Sequence, residues 1–508
     1  MLGRSTGAVL LGMDARLVEV EVDLGNGLPT ISAVGLAGSA VREGLDRIRA
    51  ALRNTRLELP RKRVTINLAP ADERKQGAGL DLPILGAILV AARRLPPFTE
   101  RSAVMVGELG LDGSLRPVRG ALSIAMAARA AGRRTLLVPR ANAEEAALVR
   151  ELEVVPLGSI DDLVAFGTSA SVSYPEVDAA ALLRRARPAI PDKDLEHVRG
   201  QAGARRALEV AAAGGHHLLF CGPPGAGKTM LASRLPGILP PLELEEALEA
   251  TRIRSAAGLG RGLVTRRPFR APHHGISFAG LTGGGRSLRP GEISLASHGV
   301  LYLDELTEFR RDALEALRQP LEEGSVTVVR VRAAATFPAV FQLVASMNPC
   351  NCGFHGSPDG RCQCTPLEIR RYLSKLSGPL LDRFDLVVDV PPVDLRALAE
   401  APAGEPSAAV RKRVVAARAR QRRRLGSTGP HCNARMGPAE LNRFAALGAE
   451  QKRLLLRACE RLKLTARGFD RVRRVACTLA DLQGAESIEP GHFAEAIQYR
   501  HPVALGRE

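Results

Sequence analysis

Residues 222–229 read Gly-Pro-Pro-Gly-Ala-Gly-Lys-Thr, a complete GxxxxGK(S/T) phosphate loop, and this stretch restricts the fold tightly. The run before it, His217-Leu218-Leu219-Phe220-Cys221, has the length and apolarity of a buried strand, and Met230-Leu231-Ala232 opens a helix. Strand, loop and helix in that order predict an α/β core. Gly222, Pro223, Pro224, Gly225, Ala226 and Gly227 shape a turn whose backbone N–H groups converge on phosphate oxygens. Lys228 adds a full positive charge, and Thr229 is left to ligate Mg²⁺. The loop implies a bound nucleotide and leaves open what the nucleotide is used for.

A second motif supports the first. Gly299-Val300-Leu301-Tyr302-Leu303-Asp304-Glu305 is an apolar strand ending in adjacent carboxylates, the Walker B arrangement. There Asp304 holds the Mg²⁺ sphere and Glu305 polarises the attacking water. Lys228 and Asp304 stand 76 positions apart, more than one strand and one or two helices need, so an insertion lies between them. Residues 266–291, from Arg266-Arg267-Pro268-Phe269-Arg270-Ala271-Pro272-His273-His274 through Gly283-Gly284-Gly285-Arg286 to Pro290-Gly291, fit a loop or hairpin. It is either a solvated decoration or a mobile element that reaches a partner. His273 and His274, being adjacent, point in different directions on most backbones and read as loop residues facing DNA or a neighbouring subunit. Beyond Walker B, residues 312–323 predict a helix, and 325–331 a strand that forms a hairpin with 337–347. Asn348, ending that run, fits a side chain that senses the γ-phosphate.

Four of the eight cysteines fall within fifteen positions. Cys350-Asn351-Cys352 and Cys362-Gln363-Cys364 bracket a turn-rich loop with Gly353, Gly356, Pro358 and Gly360. Paired thiols across such a loop suit a structural Zn²⁺, with His355 able to replace one thiolate; redox-active and unliganded thiols are the other readings. The chain is too long for one core, and its formal charge of +17 favours a polyanionic partner, nucleic acid or an anionic membrane surface. Only eight of its 71 basic residues are lysine, so single arginines carry less meaning than the net charge. The arginine-rich run 407–425 accordingly reads as a solvated helix or as a phosphate contact. No charged leader with a short apolar core opens the chain and no run of about 18 apolar residues occurs, which predicts a soluble, cytoplasmic protein without membrane association.

Residues 1–167 alternate predicted strands (17–23, 29–34, 63–68, 103–107, 134–138) with predicted helices (38–53, 79–93, 119–131). Within them Val64-Thr65-Ile66-Asn67-Leu68-Ala69-Pro70 and Lys75-Gln76-Gly77-Ala78-Gly79-Leu80-Asp81-Leu82-Pro83 resemble the Lon protease domain, whose fold is shared with ribosomal protein S5 domain 2. That family uses a Ser-Lys dyad. Here Gly79 stands at the serine position and Leu122 at the lysine position, so the resemblance implies the α+β fold without peptidase chemistry. Residues 168–193, with Pro175, Pro188 and Pro191, read as a linker.

Residues 200–386 resemble the magnesium-chelatase-like AAA+ ATPases of the YifB/ComM competence family. The stretches that carry this are Ala211-Ala212-Ala213-Gly214-Gly215-His216, Arg234-Leu235-Pro236-Gly237-Ile238-Leu239-Pro240-Pro241, the 267–274 segment, Arg289-Pro290-Gly291-Glu292-Ile293-Ser294-Leu295-Ala296 and Leu380-Leu381-Asp382-Arg383-Phe384-Asp385. The resemblance implies a Lon-like front (1–167), a linker (168–193), an AAA+ core (194–390) and a helical lid (391–508). It further implies a hexameric ring with ATP between subunits and Arg383 as an arginine finger on the neighbour's γ-phosphate. Arg467 takes the lid position that touches ATP, with Arg471, Arg473 and Arg474 competing for that role. The implied task is DNA translocation or helicase action, promoting branch migration of transforming DNA. A metal-chelatase-type motor and an ATP-dependent chaperone or protease are the alternatives. Aromatics at 3% favour a backbone grip over base stacking.

Overall fold

The computed structural model describes residues 2–35, 38–55, 57–70, 75, 77–98, 102–168, 173–186, 193–260, 262–285, 288–330, 333–357, 360–392, 402–426 and 431–500. Gln76, Pro188, Pro191, Arg286, Val331 and Pro358 lie outside the described residues.

The front of the chain builds a four-stranded sheet in the order Leu2–Leu11, Asp14–Gly25, Arg63–Ala69, Ile31–Val34, antiparallel except for the last pair. Val18, Val20, Val22 and Leu24 alternate inward along Asp14–Gly25, as the period of two requires. Helix Asp81–Ala91 is apolar on every side and lies buried against the sheet. Strand Leu2–Leu11 escaped the sequence reading because its inward face is partly glycine. At Gly3 a Cβ would stand 2.2 Å from the Ala87 carbonyl oxygen, so only glycine lets the strand lie on that helix. Strands Ala103–Met105, Thr135–Pro139 and Glu153–Leu157 form a separate parallel sheet, one face packing into the same core as the first sheet (Met105, Leu137, Val155) and the other into a second core (Val104, Leu136, Val138). Leu122 is fully buried, and Gly79 sits in a short turn before helix Asp81–Ala91.

Residues 168–193 include helix Ala179–Arg185, whose first turn is capped by the Asp178 carboxylate accepting from the Ala181 N–H at 3.0 Å. Tyr174 and Val177 tie the segment back to the parallel sheet and the helix beside it through backbone bonds to Val154 and Ala147.

The middle of the chain is a five-stranded parallel sheet in the order Phe269–Arg270, Val300–Leu303, Gln342–Met347, Leu218–Cys221, Leu386–Asp389. Both faces are covered, so its strands are continuously apolar rather than alternating. Leu218 and Phe220 point into a core shared with helix Ala202–Gly214 and the C-terminal helices. Leu219 and Cys221 point into a second core, formed with Phe309, Leu317 and Phe337.

Three expectations for this region need correction. The 266–291 segment holds a short hairpin, Gly283–Gly284 with Arg289–Pro290, but is more than a loop or hairpin: Phe269–Arg270 is the edge strand of the main sheet, followed by helix Phe278–Thr282. The predicted 312–323 helix is broken into Arg311–Glu315 and Arg318–Glu323, because Pro320 lacks the N–H a continuous helix would need. Finally, strand Ser325–Arg330 pairs with Ala333–Pro338, and not with 342–347, which is the central strand of the main sheet. The Gly12–Met13 turn of the front domain rests on that hairpin at Ala335, and Arg252 fixes it through Asp14 at 2.9 Å.

Among the described residues, five α-helices follow the main sheet: Ser407–Leu425, Pro438–Phe444, Ala449–Leu462, Ala466–Gln483 and Pro490–Gln498. The arginines of the first are only in part a solvated face: Arg422 and Arg423 are exposed, but others are engaged. Arg413 pairs with Glu209 and Glu405, Arg418 donates to the Ala212 carbonyl, Arg420 to the Asp481 carbonyl, and Arg424 pairs with the buried Asp481 at 2.7 Å. They clamp the C-terminal helices to the core. No helix among the described residues is long and apolar enough to cross a membrane.

Candidate active site

In a parallel sheet the loops after the C-terminal strand ends meet in one crevice. Strand Leu218–Cys221 is paired with Gln342–Met347, which is paired in turn with Val300–Leu303, so residues 222–229, Asn348 and Asp304 emerge side by side. The Lys228 ammonium donates to the Gly222 carbonyl at 2.6 Å, the Pro223 carbonyl at 2.9 Å and Asn348 Oδ1 at 3.0 Å. Burial lowers its pKa, against the pull of Asp304 and Glu305.

Thr229 donates to Asp304 Oδ2 at 2.8 Å, and Tyr302 donates to Thr229 Oγ1 at 3.2 Å. Ser346 donates to Asp304 Oδ1. Burial alone would raise the Asp304 pKa, yet the bonds from Ser346, Thr229 and Tyr302 take it below the usual carboxylate range. The charged carboxylate beside a threonine hydroxyl is a fitting donor set for a hard cation such as Mg²⁺. Sequence reasoning missed Tyr302 and Ser346. Each stands two residues before a named one, Asp304 or Asn348, and so on the same side of its strand; that period of two was the available signal.

Glu305 has a left-handed backbone (φ 52°), unusual outside glycine, with its N–H bonded to Asp304 Oδ1 at 3.1 Å. His274 Nδ1 reaches Glu305 Oε2 at 3.5 Å. His273 and His274 do not point apart as expected: the tight turn after Arg270 brings their ring centroids to 4.0 Å.

Arg383 and Arg467 lie elsewhere. Both line a cavity of about 520 Å³ with Glu322, Asp385, Asp470 and Arg471, and no residue of the 222–229 loop lines it. Arg383 is buried, donates to the Pro379 carbonyl at 2.7 Å and pairs with Glu322, so its carboxylate partner is neither Asp382 nor Asp385. Arg467 reaches the same Glu322 at 3.6 Å. Arg471 and Arg474 line the cavity as well, whereas Arg473 turns to the Leu441 and Ala445 carbonyls. Burial would raise the pKa of Asp385, but Arg471 and His216 hold it far below the carboxylate range.

The Sγ atoms of Cys350, Cys352, Cys362 and Cys364 all lie within 4.8 Å of one another, with separations of 3.3, 3.6 and 3.8 Å among the first three. A tetrahedron with Zn–S bonds of about 2.3 Å has edges of about 3.8 Å, so the thiols fit that ion. His355 is not in the set; its backbone N–H donates to Cys350 Sγ at 3.3 Å. The Phe354 N–H lowers the Cys352 thiol to about 6, toward the thiolate that binds metal, whereas burial raises Cys350, and Cys362 and Cys364 are raised too. Gly353, at φ 85°, seats this loop on the phosphate loop, for a Cβ there would stand 2.5 Å from Pro224 Cδ.

Three family models match the chain: "Magnesium chelatase, subunit ChlI" over residues 194–398, "Subunit ChlI of Mg-chelatase" over 20–142, and "Magnesium chelatase, subunit ChlI C-terminal" over 404–500. The chain is 44% identical to YifB of Salmonella typhimurium, covering 96% of this chain and 95% of that one. It is 42% identical to the competence protein ComM of Haemophilus influenzae, covering 97% and 96%. A weaker likeness, 25% over 181 residues (32% of this chain and 27% of the relative), is to the archaeal Lon protease of Thermoplasma acidophilum.

Proposed function

The chain belongs to the magnesium-chelatase-like YifB/ComM family, and from that premise we propose that it is an ATP-driven, ring-forming DNA translocase of helicase type. One observation carries the reading. Lys228, Thr229, Asp304, Glu305 and Asn348 meet at one crevice, while Arg383 and Arg467 face a different cavity. A site of the first kind binds ATP and places its γ-phosphate but lacks the arginine that neutralises transition-state charge. A second subunit, docking its Arg383 cavity on the first subunit's phosphate loop, completes it. Repeated around a closed ring, ideally a hexamer, each interface holds one such site.

In this reading residues 222–229 cradle the phosphates and Asn348 senses the γ-phosphate. Thr229 and Asp304 hold Mg²⁺, which when bound neutralises charge on the β- and γ-oxygens, and Glu305 orients the attacking water. The four cysteines hold a structural Zn²⁺. The Lon-like front lacks the dyad and serves assembly. The net charge of +17 and the competence name of ComM support DNA as the track and recombination of transforming DNA, through branch migration, as the task. The site of action would be the cytoplasm.

The test is ATP turnover with and without single-stranded and forked DNA at low salt, with Lys228→Ala as control. Stimulation of Lys228-dependent turnover by DNA is the expected result. Lys228-dependent turnover that neither DNA changes would overturn the DNA assignment and favour the chelatase-type motor that the family models are named for.

A further inference from the structure

Behind Thr229 and Asp304 stands a phenol. Tyr302 lies on strand Val300–Leu303 two residues before Asp304 and is 1% exposed, so its ring belongs to the core while its hydroxyl ends at the crevice. Phe269, paired with Val300 on the edge strand, is its diagonal neighbour on the same face. The two rings stack at 5.9 Å between centroids and 23° between planes, and on the other flank Tyr302 is in register with Val344 of the central strand. The phenol therefore has a fixed direction. Burial, with the Asp304 charge beside it, raises its pKa, so the hydroxyl stays protonated and donates. A threonine hydroxyl has one hydrogen and two lone pairs. The hydrogen of Thr229 goes to Asp304 Oδ2 at 2.8 Å, and one lone pair accepts the Tyr302 hydroxyl at 3.2 Å. One lone pair is left.

We infer that Tyr302 is a positioning residue for Mg²⁺: by occupying one lone pair of Thr229 it aims the other at the cation, and so sets the Mg²⁺ concentration at which nucleotide binds tightly. The inference rests on the proposed ATPase reading. Without the phenol, the Thr229 oxygen keeps its bond to Asp304 but is free to turn about it and present either lone pair. Asp304 itself stays held, since Oδ1 accepts from Ser346 and from the Glu305 N–H at 3.1 Å. The phosphates are gripped by backbone N–H groups and by Lys228, whereas the phenol acts on the Thr229 hydroxyl. Loss of the phenolic oxygen should thus weaken the metal and leave metal-free nucleotide as it was.

The experiment titrates a non-hydrolysable ATP analogue into the full-length wild type, Tyr302→Phe, Thr229→Val and the double variant by calorimetry, over a series of Mg²⁺ concentrations and in EDTA. Tyr302→Phe keeps the stack on Phe269 and removes only the hydroxyl. Its Mg²⁺ midpoint is expected to rise about tenfold, the lower end of what losing an outer-sphere partner costs a metal site. Affinity in EDTA should match the wild type, because a loop disturbed as a whole would lose that as well. Adding Tyr302→Phe to Thr229→Val should shift the midpoint no further, since the hydroxyl through which the phenol acts is already gone. An unchanged midpoint in Tyr302→Phe, a weaker affinity in EDTA, or a full additional shift in the double variant overturns the inference, and Mg²⁺-dependent binding by the wild type then leaves the ATPase reading standing. A wild type whose binding is absent or blind to Mg²⁺ overturns both.

Discussion

Arg383, just before strand Leu386–Asp389, and Arg467, in the first turn of helix Ala466–Gln483, end on the same carboxylate, that of Glu322. Two arginines on one acid, away from the phosphate loop, are a pair waiting for a second anion. If that anion is the neighbour's γ-phosphate, Arg383→Ala should lower turnover on the order of 10³-fold while ATP binding persists. Lys228→Ala should be equally inactive. Mixing the two inactive proteins should restore turnover, because some interfaces then hold an intact lysine opposite an intact arginine. Failure of every mixture to recover activity would rule out a site shared between subunits.

Ser346 bonds Asp304 and also supports the Glu305 N–H, at 3.4 Å. Ser346→Ala removes no metal donor yet loosens both carboxylates. We predict a kcat lower by roughly 10-fold to 100-fold, the usual cost of losing an outer-sphere partner, with a smaller change in KM for ATP. Steady-state kinetics at saturating Mg²⁺ decides it, and wild-type kcat would contradict the network.

The cysteine cluster predicts one zinc per chain by elemental analysis, lost in Cys362→Ser. Zinc in the variant at the wild-type level would show that the ion sits elsewhere.

Acid should weaken the fold through His217. Its Nδ1 accepts the Leu343 N–H at 3.0 Å, and burial, opposed by Asp385 and reinforced by Arg471, lowers its pKa from 6.5 to about 4. The unfolded chain therefore takes up a proton that the folded chain refuses. The contribution is complete above pH 6.5, is lost as pH falls from 6.5 to 4, and levels off below. The loss amounts to about 3 kcal/mol at most. Asp385, whose pKa is depressed, adds a loss of the same sign as pH falls through the carboxylate range. Urea midpoints measured between pH 7.5 and 4 should slope less in His217→Asn, which keeps an acceptor; equal slopes would remove His217 from the account.

Sequence alone located the phosphate loop, the 300–303 strand with its carboxylates, and Asn348, because each is a local pattern of strand followed by polar turn. It could not see contacts that depend on sheet order. Ser346 and Tyr302 join the site only because Gln342–Met347 lies between Leu218–Cys221 and Val300–Leu303. His274 meets Glu305 only because two residues of the insertion add an edge strand to that sheet. The arginines of Ser407–Leu425 misled for a related reason: their partners, Glu209 and Asp481, are distant in sequence, so a clamp looked like a charge run.

The seat of Gly353 on Pro224 joins two parts that sequence treats as separate. The thiol loop begins two residues after Asn348 and packs at Gly353 against Pro224 of the 222–229 turn. If the four thiols hold Zn²⁺ as proposed, stripping that ion should weaken ATP binding before it unfolds the chain. Under the proposed function, occupancy of the thiol site as well as nucleotide would then limit turnover.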